Sequence, residues 1–485
     1  MTEKYYLDTF SVTIRQMEDL ISAALSRGGD FADIYFEYTT GSDLLLRDGE
    51  VASGGFNIDY GAGIRVLKGE KTGYAYSEDT GMRNMLSAAR AAAMIAEGSS
   101  GHGHAGTRRG KTGQNMTART EAQPLSAESL YPMQKEWRQT EASAFLPFLK
   151  SLGEKIGAMD SRVAKVTARL SYGQSDIMMF NSLGELTCDT RPLGSVTASV
   201  IFTSGGRSEN KTVSRSFRTG AEMITDALAE EMAREAVSGI DERFEARRPK
   251  GGQMPVVMGA GASGILLHEA MGHAFEADFN RKGQSIFSGR MGERICASGI
   301  DIVDDGTIPA NRGTCRYDDE GIPGQKTWMV KDGVLNSYLH DRISAAWFGV
   351  SPTGNGRRES FRFNPIPRMR ATYMENGSAS PEDIISSVRK GIYVDEFSNG
   401  QVKIGEGDFT FYVKSGRLIE DGRLTMPVKD INIIGNGPQA LADMTAVGND
   451  LKIDNGTWTC GKEQSAAVSC GIPTVLIKSL TVGGE

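Results

Sequence analysis

Residues 255 to 278 read PVVMGAGASGILLHEAMGHAFEAD, and two different chemistries overlap there. His268, Glu269 and His273 spell H-E-x-x-x-H. Two neutral imidazoles can hold a zinc-like ion while one coordination position stays open for water. A carboxylate beside the first imidazole can accept that water's proton and later deliver it to a leaving amine. Just upstream, Gly259, Gly261 and Gly264 spell G-x-G-x-x-G after an apolar run, the pattern of a dinucleotide-binding turn.

The surroundings favour the first chemistry. Asp278 stands about 20 residues beyond the glycines, where a ribose-binding acid is expected. The residues ahead of it, HEAMGHAFEAD, form no β-branched run, and polar FNRKGQ follows directly. No βαβ series surrounds the motif either. The glycines are therefore expected to turn the backbone and to let a helix pack close to a strand. The chain has 5 histidines, and two of them flank this one glutamate.

Geometry adds a demand. At about 3.6 residues per turn, side chains five apart differ by about 140°. His268 and His273 cannot face one ion from a regular α-helix, so a kink or π-bulge is expected near Gly272. Two histidines also need a third ligand. Glu276, Asp278 and the cysteines are candidates. Glu276 follows His273 by three residues, and Cys460 offers a thiolate in DNGTWTCGKEQ. Spacing alone barely separates Cys460 from Glu276.

These residues must be positioned by an α+β chain. At the N-terminus, Met17, Leu20, Ile21, Ala24 and Leu25 share a helical face that Gly28-Gly29 ends. ADIYFEY alternates as a strand, several short strands with Gly-rich turns are expected over 44–77, and a helix over 82–95. Residues 98 to 120 carry almost no apolar side chains and read as a linker or long loop, with His102 and His104 in it. A middle region places a helix near 141–159, strand-like pieces at 163–172, 176–181 and 195–204, and a helix near 221–239. EARRPKGGQ is a boundary, after which come one motif-bearing helix and many short strands. Asp332-Gly333 and Asp421-Gly422 mark hairpins there. The expected division is an N-terminal α/β domain over 1–97, a linker over 98–125, a middle α+β domain over 126–245 and a strand-rich C-terminal domain over 246–485.

Composition bounds the function classes. The 485 residues suit two or three domains. A net charge of −7 argues against broad nucleic-acid binding. No apolar run approaches a membrane span, and no secretory leader is expected. The 5 cysteines are few and scattered, so a reducing cytoplasm without a disulfide framework is expected.

The chain resembles the TldD/PmbA family, specifically its TldD-type metalloprotease branch. The resemblance runs over nearly the full length. It is carried by HEAMGHAFEADFNRKGQSIFSGRMGE, YDDEGIPGQK, SPTGNGRRES, AVGNDLKIDNG, CGKEQ and a terminal LTVGG, in that order. It implies a zinc-dependent peptidase acting on unstructured peptides, including leader removal during maturation of modified peptides. It also implies His268 and His273 as metal ligands, Glu269 as the catalytic carboxylate and Cys460 as the third ligand, with Cys470 an ordinary buried thiol. The PmbA-type sibling lacks the histidine motif and partners the TldD-type subunit. This chain would then be the catalytic member of a homodimer or a heterodimer. The family's older label, modulator of DNA gyrase, finds no support in the acidic composition.

Two further features remain open at this level. Arg357 and Arg358 in NGRRES either bind a substrate carboxylate or form structural ion pairs. His340, just before a helix, reads as a packed or surface histidine. Competing with the metallopeptidase are a nucleotide-dependent oxidoreductase and a binding subunit that keeps the motif without turnover.

Overall fold

The computed structural model describes residues 1–98 and 122–483, so His102 and His104 lie outside the described residues. The N-terminal half is built on one antiparallel sheet. Its strands are β1 (Phe31–Arg47), β2 (Glu50–Lys68), β3 (Lys71–Ser77), β4 (Val163–Asn181), β5 (Leu186–Ser204) and β6 (Arg207–Phe217). They are ordered β3-β2-β1-β4-β5-β6. The pairing of β1 with β4 joins the first and middle regions into a single sheet.

The expected short strands are long ones. Asp48 and Gly49, with φ of 51° and 81°, make the single turn between β1 and β2. Gly54 and Gly55 sit in register opposite Leu44 and Asp43, so glycines that read as turns lie within a strand. Likewise the pieces at 163–172 and 176–181 are one strand, β4.

Helices cover this sheet where the apolar periodicity placed them. Ile14–Leu25 begins with a capping box between Thr13 and Gln16 and buries Met17, Leu20, Ile21 and Ala24. It shares a core with the alanine-lined face of Met82–Gly98. Helices Leu146–Met159 and Asp226–Val237 enclose a second core around Trp137 and Phe202.

The C-terminal half is strand-rich and begins with β7 (Gly252–Met258). Strand Lys390–Val402 pairs with β7 on one side and with Asp408–Glu420 on the other. Val475–Gly483 and Ile431–Asn436 complete the circuit, so five strands close on themselves. A separate six-stranded sheet has Ile302–Asp305, Ala371–Met374 and Ser469–Ile472 among its strands. Both hairpins expected at Asp-Gly pairs are present, with positive φ at Asp332, Gly333, Asp421 and Gly422. One apolar core binds these sheets to the helical segment that carries His268. The fold is α+β, with an N-terminal α/β region and a strand-rich C-terminal domain.

Arginines clamp the two halves together through the acidic motif at 317–321. Arg65 in β2 is wholly buried between Asp33 of β1 and Glu320, the latter at 2.6 Å. Arg191 in β5 reaches Asp319 at 2.5 Å. Each charge is matched by a bonded opposite charge, the condition under which buried ions are tolerated.

Candidate metal centre

β7 delivers the chain to the glycine motif. Gly261 holds φ at 102°, and a Cβ on Gly264 would fall 2.5 Å from the backbone nitrogen of Gly471. The glycines let the helix start lie directly on strand Ser469–Ile472. Asp278 is paired with Lys462 at 2.8 Å and ends no strand. The dinucleotide pattern therefore serves packing here.

The helix that follows is not a regular α-helix. After one α-turn over Ile265–Leu267 it widens into a π-turn over His268–Gly272 and then tightens over His273–Phe275. The His273 amide donates to the His268 carbonyl, five residues back. This spacing removes the angular mismatch that a regular helix imposes. Gly272 itself has ordinary helical angles, φ −55° and ψ −49°. Its missing Cβ makes room for Met369, whose sulfur would lie 2.1 Å from one.

His268, His273 and Cys460 are brought together. All three are buried, and their ligand atoms lie within 4.8 Å of one another. The two rings stand nearly perpendicular, with centroids 5.1 Å apart. Cys460 enters from the hairpin formed by Thr459–Lys462 and Gln464–Ala467, and its Sγ lies 3.2 Å from His273 Nε2. Among the described residues, His268 Nδ1 is buried without a hydrogen-bond partner.

Glu276 takes the other side of the same ring. Its Oε2 lies 3.0 Å from His273 Nδ1, so it orients the imidazole whose far nitrogen meets the thiol. Lys462 at 3.1 Å and Arg368 at 3.7 Å neutralise it. Burial alone would push Glu276 up, but Lys462 and His273 hold it at about 2. The same balance acts on Cys460: burial raises it, and hydrogen bonds with His268 and His273 bring it down to about 5. Lys462 and Arg368 escaped the sequence reading. Lys462 was legible, since alternation along a strand puts it on the same face as Cys460.

Glu269 is half-buried, and among the described residues it makes no hydrogen bond or ion pair. Burial raises its carboxyl, while the neighbouring His268 and His273 pull the other way. A carboxylate in this condition is available to exchange a proton.

The other candidates lie elsewhere. Arg358 is stacked on Tyr35 at 4.2 Å and donates to the Asp319 carbonyl at 2.9 Å, so it belongs to the junction between the halves. Arg357 donates to the carbonyls of Met369 and Ala467 and lines a cavity of about 520 Å³ between the N-terminal sheet and the Cys460 hairpin. His340 is buried against Phe348, their rings 5.4 Å apart, and burial pushes it down to about 4. Cys470 is buried in the strand beneath the helix start, and burial pushes its thiol up.

Three sequence models of the PmbA/TldA metallopeptidase family match in order. Domain 1 spans residues 32–96, the central domain 136–240 and the C-terminal domain 251–484. The chain is 37% identical over 478 residues to the metalloprotease TldD homolog of Haemophilus influenzae, covering 97% of this chain and 96% of that one. It is 32% identical over 250 residues to the zinc metalloprotease TldD homolog of Saccharolobus solfataricus, covering 50% of this chain and 55% of the relative. TldE from Thermococcus kodakarensis has the same fold, with a TM-score of 0.73 at 19% identity over 97% of this chain and 100% of that one. Among the described residues, no helix is long and apolar enough to cross a membrane.

Proposed function

This chain belongs to the PmbA/TldA metallopeptidase family, and from that premise we propose that it is a zinc-dependent peptidase of TldD type. In this reading it hydrolyses unstructured peptides in peptide maturation or turnover. The observation that carries it is the convergence of His268, His273 and Cys460, three buried donors of the kind zinc prefers. When bound, such an ion supplies Lewis acidity to a peptide carbonyl and acidifies water near neutral pH.

The chain's own residues do the rest. Glu276 fixes the ring of His273 through Nδ1, leaving Nε2 for the ion. Glu269, with no competing partner among the described residues, takes a proton from water and hands it to the leaving amine. An extended peptide would pair by main-chain hydrogen bonds along a strand, so folded proteins should be spared.

Glu269→Gln tests the reading, because it keeps shape and removes the proton acceptor. Zinc content should persist, while turnover of a short unfolded peptide falls by several orders of magnitude. Full activity in that variant, or activity that survives exhaustive chelation, would refute it.

A second reading deserves one test, because Cys460, His273 and Glu276 also line up as a thiol, a base and an orienting carboxylate. That arrangement needs neither His268 nor Glu269. Chelated protein that still cleaves peptide, and stops on alkylation, would favour it.

The proposed active form contains a second subunit, either a copy of this chain or a PmbA-type sibling. The distal part of β2 supports this. Residues 50–58 pair with β1 on one side, whereas β3 takes up β2 only from Ala62 onward. Unpaired among the described residues, that edge exposes Val51, Phe56 and Ile58.

A further inference from the structure

The cavity beside the Cys460 hairpin has an unusual charge balance. Among the described residues, seven arginines and four carboxylates line it. Asp43 and Asp319 are already paired with Arg169 and Arg191. Glu359 accepts the Ser465 amide at 2.6 Å, and burial pushes Glu37 up to about 7.

Four of the arginines have no such partner. Arg218, Arg312, Arg357 and Arg370 are each less than 10% exposed, with relative accessibilities of 9%, 7%, 7% and 4%. Among the described residues none has a carboxylate oxygen within 4.0 Å. Arg357 and Arg312 spend their donors on neutral acceptors, among them the carbonyls of Ala467 and Trp458. Arg218 uses Nε and Nη1 on carbonyls and Arg370 uses Nε alone. Among the described residues that leaves Arg218 Nη2 and both Nη atoms of Arg370 without an acceptor, although the buried carboxylates of Asp304, Asp318 and Asp319 act on Arg370 through their charge. Burial, together with neighbouring arginines, lowers Arg357 to about 9 and Arg312 to about 10. Buried cations left unpaired are costly, and an anion supplied from outside offsets that cost.

We infer that this cavity is a carboxylate-binding subsite for the peptide substrate. The inference rests on the peptidase reading and adds a substrate class to it. Its link to the metal centre is the hairpin itself. Ala466 lines the cavity and stands opposite Cys460 in register, while Arg312 Nη2 reaches Thr459 Oγ1 at 3.2 Å. A carboxylate held by these guanidiniums anchors one end of an extended chain on the hairpin that presents the thiol. Two sources supply that chemistry, a peptide's C-terminal carboxylate or an Asp or Glu side chain.

Binding to the full-length Glu269→Gln protein, read by fluorescence anisotropy, separates them. Three forms of one N-terminally labelled, alanine-rich hexapeptide serve as probes: the free acid, the C-terminal amide, and the amide with one internal glutamate. A C-terminal anchor makes the free acid bind at least about tenfold more tightly than both amides, the size of a charge-assisted hydrogen bond. A side-chain anchor instead singles out the glutamate peptide. Equal affinities for all three, including no binding, overturn the inference.

Arg218→Met should abolish the preference and Arg218→Lys should restore part of it. Arg169→Glu, at an exposed position on the cavity wall where folding is not at risk, should weaken it several-fold. A preference unchanged in both Arg218→Met and Arg169→Glu, or in Arg169→Glu alone should the other not fold, also overturns the assignment to this cavity. Turnover of the free-acid peptide by the unsubstituted protein, measured in parallel, reports on the peptidase reading separately. Turnover with equal affinities sinks only the subsite, and a carboxylate preference without turnover sinks only the peptidase.

Discussion

The backbone amide of His273 donates to the carbonyl of His268, and this single five-residue hydrogen bond turns both imidazoles toward Cys460. An ordinary four-residue bond would leave the rings about 140° apart. The π-turn is therefore a condition of the site, and whatever holds it open supports the function.

Gly272 is one such support. Adding a methyl group there gains up to about 1 kcal/mol in helix propensity. It also drives a carbon to 2.1 Å from the Met369 sulfur and 3.3 Å from the Leu267 carbonyl. Overpacking of this kind costs about 1–3 kcal/mol and wins. Gly272→Ala is expected to lower the melting temperature and weaken zinc binding, and Met369→Ala in the same chain should recover part of both. A Gly272→Ala protein as stable and as zinc-competent as the parent would show that the contact is unimportant.

The coordination sphere can be read from metal stoichiometry. Cys460→Ser replaces a thiol already held at about 5 with a hydroxyl that does not ionise near neutral pH, and zinc should be lost outright. Glu276→Gln keeps all three donors but removes the carboxylate from His273 Nδ1 and leaves Lys462 and Arg368 without their common partner. Zinc affinity should fall about 10- to 100-fold, with partial occupancy at high zinc. Cys470→Ser should leave stoichiometry intact. Loss of zinc in Glu276→Gln together with retention in Cys460→Ser would reverse the proposed roles.

Local pattern made some of this visible in the sequence, and long-range pairing hid the rest. H-E-x-x-x-H and its geometric misfit announced a distorted helix, and Asp-Gly pairs announced the turns. Glu276 and Cys460 could not be separated, because which nitrogen of His273 each one meets depends on a hairpin 187 residues away. The glycines of β2 suggested turns because a Gly-rich strand is legible only once its partner β1 is known. YDDEG stood out as a motif without a role, and its partners Arg65 and Arg191 lie in strands more than 100 residues upstream.

Glu37 gives the cavity a pH dependence whose sign follows from burial. Its carboxyl is pushed up to about 7 by desolvation, against hydrogen bonds from Thr39 and the Phe361 amide. A carboxyl raised in the folded state binds its proton there more tightly than in the unfolded chain. The resulting stabilisation is complete below the ordinary value of 4.5 and fades as pH rises through about 7. Glu37→Gln removes that slope. Urea titrations should find the variant more stable relative to the parent at pH 8 than at pH 4.5, by up to about 3 kcal/mol. A difference independent of pH would mean that Glu37 is ionised throughout.

The free edge of β2 should govern assembly. Phe56 and Ile58 are 67% and 55% exposed, and they lie two residues apart on a strand, hence on one face. Such an edge is a template for another chain unless something covers it. Negative charge there would repel a partner with little cost to the core, because both side chains are more than half exposed. Phe56→Glu combined with Ile58→Glu is expected to leave the melting temperature of the isolated subunit within about 1 °C of the parent, as exposed substitutions do. The same pair should shift the mass in solution from dimer to monomer, or abolish capture of a PmbA-type sibling. If the doubly substituted chain still assembles with unchanged affinity, the contact lies on another surface, and the exposed edge of β2 has no part in it.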